Sequence, residues 1–367
     1  MQNVFYLFLF FVSIQLLFYV LLFGRFSFAK TIVVKSSFPP ISIIICARNE
    51  AENLRHNLPA FINQDYPNFE LVLINDSSSD ETLEIMESLL EKHTHNIKIV
   101  NVEENEKFWG NKKYALTLGI KAAKHEHLLF SDADCKPVSK QWIQEMSSQF
   151  SERKSIVLGY GSYDKIKNSF LNRLIRFETL MTAIQYFSYA KNRLPYMGVG
   201  RNLAYTKTLF FKTTGFTNHM HLKSGDDDLF INQNGNPQNI ALQYTKNSFT
   251  TSVPKNSFKE WILQKRRHVT TATHYKPIHK FLLGLYYFSQ LAFWSLAILL
   301  LSFTFLWEIV LGIVIFRIGI HYLVIAKSAQ KLDEKDIVIW APFLEVFLIF
   351  IQLFIFIKNL TSKPTHW

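Results

Sequence analysis

Acidic residues recur in this chain where short apolar runs end, and two groups of them are spaced for chemistry. Asp132 and Asp134 lie two residues apart after the run 127–130. In an extended chain such side chains share a face. Two carboxylates on one face suit a hard divalent cation, Mg²⁺ or Mn²⁺, shared with substrate phosphates. Turn chemistry explains most isolated Asp-x-Asp pairs, so the spacing alone decides little. Asp226, Asp227 and Asp228 form the second group, after Ser224-Gly225. Three adjacent like charges resist burial unless a cation or a proton relieves them. A solvated turn or a helix N-terminus would accommodate them equally well. Glu50, Asp76 and Asp80 follow other apolar runs in the same way.

The elements that would position these acids are legible from periodicity. Residues 41–47 (ISIIICA), 69–74, 96–102 and 127–130 are short, β-branched, apolar runs that read as buried strands. Residues 48–53 are a polar entry into a helix, and residues 114–123 have apolar side chains at helical spacing. Strands alternating with helices predict an α/β domain with a mostly parallel sheet. Ligands bind such sheets beyond the carboxyl ends of the strands, which is where the acids fall.

Hydrophobic residues make up 49% of the chain, and many of the 34 Phe cluster near its two ends. That clustering indicates membrane segments. Residues 4–23 carry no charge and are followed by Arg25, Lys30 and Lys35, so they read as an uncleaved anchor that enters the cytoplasm. Residues 281–307 form a second charge-free run. Residues 309–325, with Arg317 and His321, and 337–357, with Glu345, read as a third and a fourth span. Lys327 and Lys331 then fall in a cytoplasmic loop and the C-terminus outside, against Lys358 and Lys363. Intramembrane charges usually pair, so Arg317 is expected to meet Glu345 or a lipid phosphate. The resulting organisation is an anchor over 1–24, a cytoplasmic domain over 25–254, an interfacial segment over 255–280 and membrane helices over 281–360. The interfacial segment has seven Lys/Arg interleaved with aromatics and Leu. Residues 170–189 are amphipathic too, suited to the bilayer, to covering an acceptor site or to a soluble core. The net charge of +11 suits nucleic acid, anionic lipid or anionic small molecules. Membrane segments favour the last two. Cys46 and Cys135 lie in apolar runs and read as buried small side chains in a reducing compartment.

Taken in order, the motifs resemble glycosyltransferase family 2, inverting enzymes with a GT-A fold, over residues 40–268. Pro40-Ile41-Ser42-Ile43 through Arg48-Asn49-Glu50 looks like the opening strand and nucleotide-binding turn. Asn75-Asp76-Ser77-Ser78-Ser79-Asp80 is similar to Asp-Asp-Gly-Ser-x-Asp. Lys112 with Ala115-Leu116 resembles Lys-x-x-Ala-Leu, and Asp132-Ala133-Asp134 the metal-binding Asp-x-Asp. Gly225-Asp226-Asp227-Asp228-Leu229 is similar to Glu-Asp-x-x-Leu. Gln264-Lys265-Arg266-Arg267-His268 resembles Gln-x-x-Arg-Trp. Asn75, Ser77, Gly225 and His268 stand where the family has Asp, Gly, Glu and Trp.

The resemblance implies a nucleotide-sugar donor bound by Glu50, Asp76, Asp80, Lys112, Asp132, Gln264 and Arg267. It also implies a divalent metal on Asp132 and Asp134, and a catalytic base at Asp226 or its neighbour Asp227. The implied acceptor is a lipid or a lipid-linked group, with no role for nucleic acid. A processive polysaccharide synthase and a non-catalytic membrane module that binds nucleotide are the alternatives. The turn Gly198-Val199-Gly200-Arg201-Asn202 either approaches the acceptor or is purely structural.

Overall fold

The computed structural model describes residues 1–33, 37–92, 96–103 and 112–362; Lys35 and Lys363 lie outside them. The chain divides into two compact units. One comprises Thr31–Lys165 with Pro195–Pro254, the other Met1–Lys30 with Ile166–Leu194 and Lys255–Trp367.

The first unit is built on ten strands: β1 Ile41–Ala47, β2 Phe69–Asp76, β3 Ile97–Val102, β4 His127–Asp132, β5 Cys135–Pro137, β6 Ile156–Leu158, β7 Gly161–Tyr163, β8 Leu203–Thr206, β9 Ile240–Leu242 and β10 Thr250–Ser252. Seven form a sheet in the order β3-β2-β1-β4-β8-β6-β9, and β5-β10-β7 form a small second sheet. β1 is parallel to β2 and β4, with Ile44 opposite both Val72 and Phe130. β8 is antiparallel to β4 and β6. The sheet is therefore mixed, the GT-A arrangement, with a parallel block of four strands at one side. That block is apolar on both faces because helices cover it. Ile43, Ile45, Leu71, Leu73, Leu129 and Trp142 are buried in one core.

β2 and β4 run two residues further than their apolar stretches. The parallel ladder continues through Asp76, opposite Val102, and Asp132, opposite Cys46. Backbone pairing, indifferent to side-chain polarity, thus carries both carboxylates to the strand ends. Strands β5–β10, of three or four residues, are too short to show a period.

Among the described residues, the second unit contains four helical stretches long and apolar enough to cross a membrane: Gln2–Ser27, Pro277–Ser302, Trp307–Lys331 and Lys335–Thr361. The expected span over 281–307 is corrected at its end. A turn at 303–306, with Thr304 and Leu306 at positive φ, stops that helix, and Trp307 begins the next. With no charge, Gly or Pro among Phe303, Thr304, Phe305 and Leu306, the turn leaves no sequence signal.

Arg317 and Glu345, fully buried, form the expected pair, with Nη1–Oε2 at 2.6 Å and Nη2–Oε1 at 2.5 Å. Arg317 also donates to Gln15 and Tyr19, and Gln290 donates to Glu345. Each charge is thereby fully hydrogen-bonded away from water.

The helix Phe170–Lys191 groups with these helices rather than with the sheet. So does the basic helix Phe258–Val269, whose Arg266 donates to Asn359 and to Ser362. The last helix therefore ends beside the basic helix that leads into Pro277–Ser302.

Candidate active site

β4 delivers Asp132, and the chain then turns at Ala133-Asp134 before β5. The turn, rather than an extended pitch, brings the carboxylates together. Ligand atoms of Asp132, Asp134 and Cys135 all lie within 4.8 Å of one another. Burial, then the Asp132 charge, raises the Asp134 carboxyl above its ordinary value. The Cys135 thiol donates to Asp134 Oδ1 at 3.3 Å. Burial, then the charges of Asp134 and Asp132, hold that thiol protonated. The available donors are therefore hard carboxylate oxygens, which fit a divalent cation of the Mg²⁺ or Mn²⁺ kind.

Lys112 opens the helix Lys112–Ala122 and joins two acidic groups far apart in sequence. Its Nζ lies 2.8 Å from Asp132 Oδ1 and 3.2 Å from Asp226 Oδ2. Burial favours the neutral amine, but Asp132 and Asp226 hold the ammonium well above its ordinary range. Lys112, Asp132, Asp226 and Asp227 line one small cavity, with Cys46 and Tyr205 in its wall.

The three acids at 226–228 divide their roles. Asp227 is the N-cap of the helix Asp228–Asn234, and its Oδ1 accepts the Asp228 N–H at 2.7 Å. Its Oδ2 accepts the Gly200 N–H, also at 2.7 Å. Burial, with Asp226 and Asp228 adjacent, nonetheless raises its carboxyl to about 8. Asp226 keeps its side chain toward Lys112, with 15% of it exposed. The glycine-bracketed turn is thus tied to Asp227. Beyond it, Arg201 donates to the carbonyls of Gly161 and Ser162, and Asn202 Nδ2 to those of Tyr160 and Ser248.

Lys113 has no distinguishing signal in the sequence, yet it positions the same loop. Fully buried, it donates to the carbonyls of His219, Leu222 and Ser224 at 2.6–2.9 Å. Burial lowers it to about 8. The adjacent pair Lys112-Lys113 is no signal either, because surface lysine pairs are common. Gly225 has φ +102°, and a Cβ there would meet Leu229 Cδ1 at 2.5 Å. That conformation explains why this chain has Gly where the resemblance has Glu.

On the other side of β1, Asn49 takes φ +55° and accepts the Ser79 N–H through Oδ1 at 2.8 Å. Asp80 accepts the Ala51 N–H through Oδ2 and the Thr82 N–H through Oδ1, so it ties the turn after β2 to the helix Ala51–Ile62. The Glu50 N–H binds the Thr82 hydroxyl, and Glu50 accepts from Asn53 at 2.5 Å. Asp76 is buried at the end of β2. Burial raises its carboxyl, opposed by Arg48 and Lys112. The fold thus brings Lys112, Asp132, Asp134, Asp226 and Asp227 together, with Asp76, Glu50 and Asp80 on adjoining strand-end turns. Gln264 and Arg267 stand half-buried on the basic helix of the helical unit.

Residues 42–220 match the sequence profile described as glycosyl transferase family 2. That stretch contains β1–β4, the Asp132-Ala133-Asp134 turn and Lys112. That region belongs to glycosyl transferase family 2. Its relatives within and around the family differ in what they are named for. A poly-beta-1,6-N-acetyl-D-glucosamine synthase of Staphylococcus epidermidis is 36% identical over 110 residues, 29% of this chain and 25% of that protein. A Methanococcus voltae protein named dolichyl N-acetyl-alpha-D-glucosaminyl phosphate 3-beta-D-2,3-diacetamido-2,3-dideoxy-beta-D-glucuronosyltransferase is 27% identical over 226 residues, 57% of this chain and 68% of that protein. The chain thus spans about a quarter of the synthase and about two thirds of the archaeal relative. Among solved structures, the mannosyltransferase PcManGT from Pyrobaculum calidifontis, in complex with GDP-Man and Mn2+, superposes with a TM-score of 0.59. It is 17% identical, over 92% of this chain and 95% of that chain, and shares its fold.

Proposed function

We propose that this family 2 protein moves a sugar from a nucleotide-sugar donor to a membrane lipid or lipid-linked acceptor, with inversion at the anomeric carbon. One observation carries the reading: Asp226 keeps a carboxylate free of backbone duties and beside Lys112, which also holds Asp132. A base and the donor's phosphate end would then share one cavity. Asp132 and Asp134 would hold a divalent cation, Mg²⁺ or Mn²⁺, which supplies charge neutralisation for the departing diphosphate. The Pyrobaculum mannosyltransferase, solved with GDP-Man and Mn2+, supports a donor and metal of this class.

The chain's own residues do the rest. Asp76 and Glu50 accept hydrogen bonds from the nucleoside, and Asp80 holds the turn that presents Glu50. Lys112 meets a donor phosphate, releasing Asp226. Asp226 Oδ2 takes the proton of the acceptor hydroxyl as that oxygen attacks C1 opposite the leaving group. A positioned base of this kind contributes typically about 10²–10⁴-fold. Asp227 and Lys113 keep the Asp226 loop in place. Arg25 and Lys30 after the first helix support a catalytic domain on the cytoplasmic side of the cell membrane.

The sequence likeness to a polysaccharide synthase favours the second reading, a processive enzyme. Membranes incubated with a panel of labelled nucleotide sugars separate the two. A discrete label that extracts into organic solvent supports the lipid acceptor. A high-molecular-weight labelled polymer supports the synthase, and no incorporation from any donor overturns both.

A further inference from the structure

The helical unit contains a cavity of about 320 Å³, the lower end of the size range of small-molecule sites. It lies between Phe170–Lys191, the basic helix, Pro277–Ser302 and Ala341–Thr361. Its lining changes character along its length. At one end Lys265 pairs with Glu178, each side chain 15% exposed. Trp261 is fully buried there, and its indole N–H has no partner among the described residues. Leu283 to Gln290 line one wall, roughly 10 Å of helix at 1.5 Å per residue. Leu283 on that helix and Leu348, Ile349, Ile355 and Phe356 on Ala341–Thr361 make the shaft mainly apolar, with Tyr286, Tyr287 and Gln290 along it. Glu345, also in the lining, is already satisfied by Arg317, Tyr19 and Gln290.

A polar end on an interfacial basic helix and an apolar shaft along a membrane-length helix describe an amphipathic occupant. The charges at the polar end select among such molecules. Lys265 and Glu178 neutralise each other, so the end offers a donor and an acceptor. A hydroxyl both donates and accepts and would satisfy such a set. A phosphate would set added negative charge against Glu178, a like-charge contact. We infer that this cavity binds the chain of a lipid whose head is an uncharged hydroxyl group, a site that stands independently of the transferase reading.

The test uses the full chain in phosphatidylcholine vesicles containing a diacylglycerol with a photoreactive diazirine in one acyl chain. Crosslinks should map to the peptides containing Leu283 and Leu348, saturate with probe, and be competed by unlabelled diacylglycerol but not by phosphatidic acid. Leu348→Trp fills the shaft and should lower saturable labelling at least about tenfold, a change of one decade in affinity. Leu283→Trp provides the same block from the opposite wall if Leu348→Trp folds poorly. Both variants should bind nucleotide sugar like the parent, which separates failure here from failure of the donor site. Label spread without saturation over all the apolar helices would overturn the inference. So would phosphatidic acid competing as well as diacylglycerol, or blocked variants labelled like the parent.

Discussion

Asp226 and Asp227 are adjacent, yet their surroundings assign them different work. Asp227 accepts two backbone N–H groups, while Asp226 contacts a movable ammonium. Asp226→Asn should therefore cut transfer by about 10²–10⁴-fold, the usual contribution of a base. Nucleotide-sugar affinity, read by calorimetry, should stay within a few-fold, because the base acts in the transition state. An active Asp226→Asn beside a dead Asp227→Asn would move the base by one residue. Asp227 also predicts a pH dependence. Its carboxyl is raised by burial and by its acidic neighbours to about 8, against about 4 in an unfolded chain. Between those values the folded chain holds the extra proton. Stability from this group is full below about pH 4 and falls as pH rises toward 8. Thermal melts from pH 5 to 8 should show that slope, and Asp227→Asn should flatten it. An unchanged slope would mean that the two backbone donors keep Asp227 ionised.

At the scale of elements, the loop before the helix Asp228–Asn234 is set by backbone conformation. Gly225 sits in the left-handed region, and a Cβ would strike Leu229. Gly225→Glu, which restores the family's more usual residue, should thus damage this chain. Strain of about 1–3 kcal/mol is expected, with a lower melting temperature and weaker transfer. Improved activity in that variant would show that the loop can refold around a side chain. Ser77 shows the converse. It takes φ +53° where the family has Gly, and its hydroxyl donates to the Val102 carbonyl. A local hydrogen bond there offsets the cost of the side chain.

At the scale of the whole molecule, a buried polar group joins four helices of the helical unit. Arg317 and Glu345 come from different helices and draw Gln15 and Tyr19 from a third and Gln290 from a fourth. Breaking a buried pair from one side costs about 3–5 kcal/mol, because the remaining charge is left uncompensated. Glu345→Arg should then abolish folded yield in detergent, monitored by size-exclusion profile. The double exchange Arg317→Glu with Glu345→Arg should recover part of it. Equal loss in both would show that the surrounding amides, more than the pairing, hold the site.

Much of this protein follows from local chemistry alone. The buried parallel strands, the acids at their ends and the apolar helices are written as runs and periods, because burial on both faces of a sheet or in lipid demands continuous apolar sequence. Arg317 and Glu345 were legible as partners because lone charges in apolar segments have few other solutions. Long-range packing decided the rest. Lys112 bridges Asp132 and Asp226 only once three separate segments converge. Lys113 has no distinguishing sequence context, since it binds backbone carbonyls, and the glycine-bracketed turn did not reveal its partner, since Gly200 meets Asp227 through a backbone N–H that any residue could supply. The end of the last helix is held by Arg266, which meets Asn359 and Ser362, a pairing that no charge count indicates. Hydropathy reports how much apolar surface a helix must bury, but only its contacts determine where its ends are held.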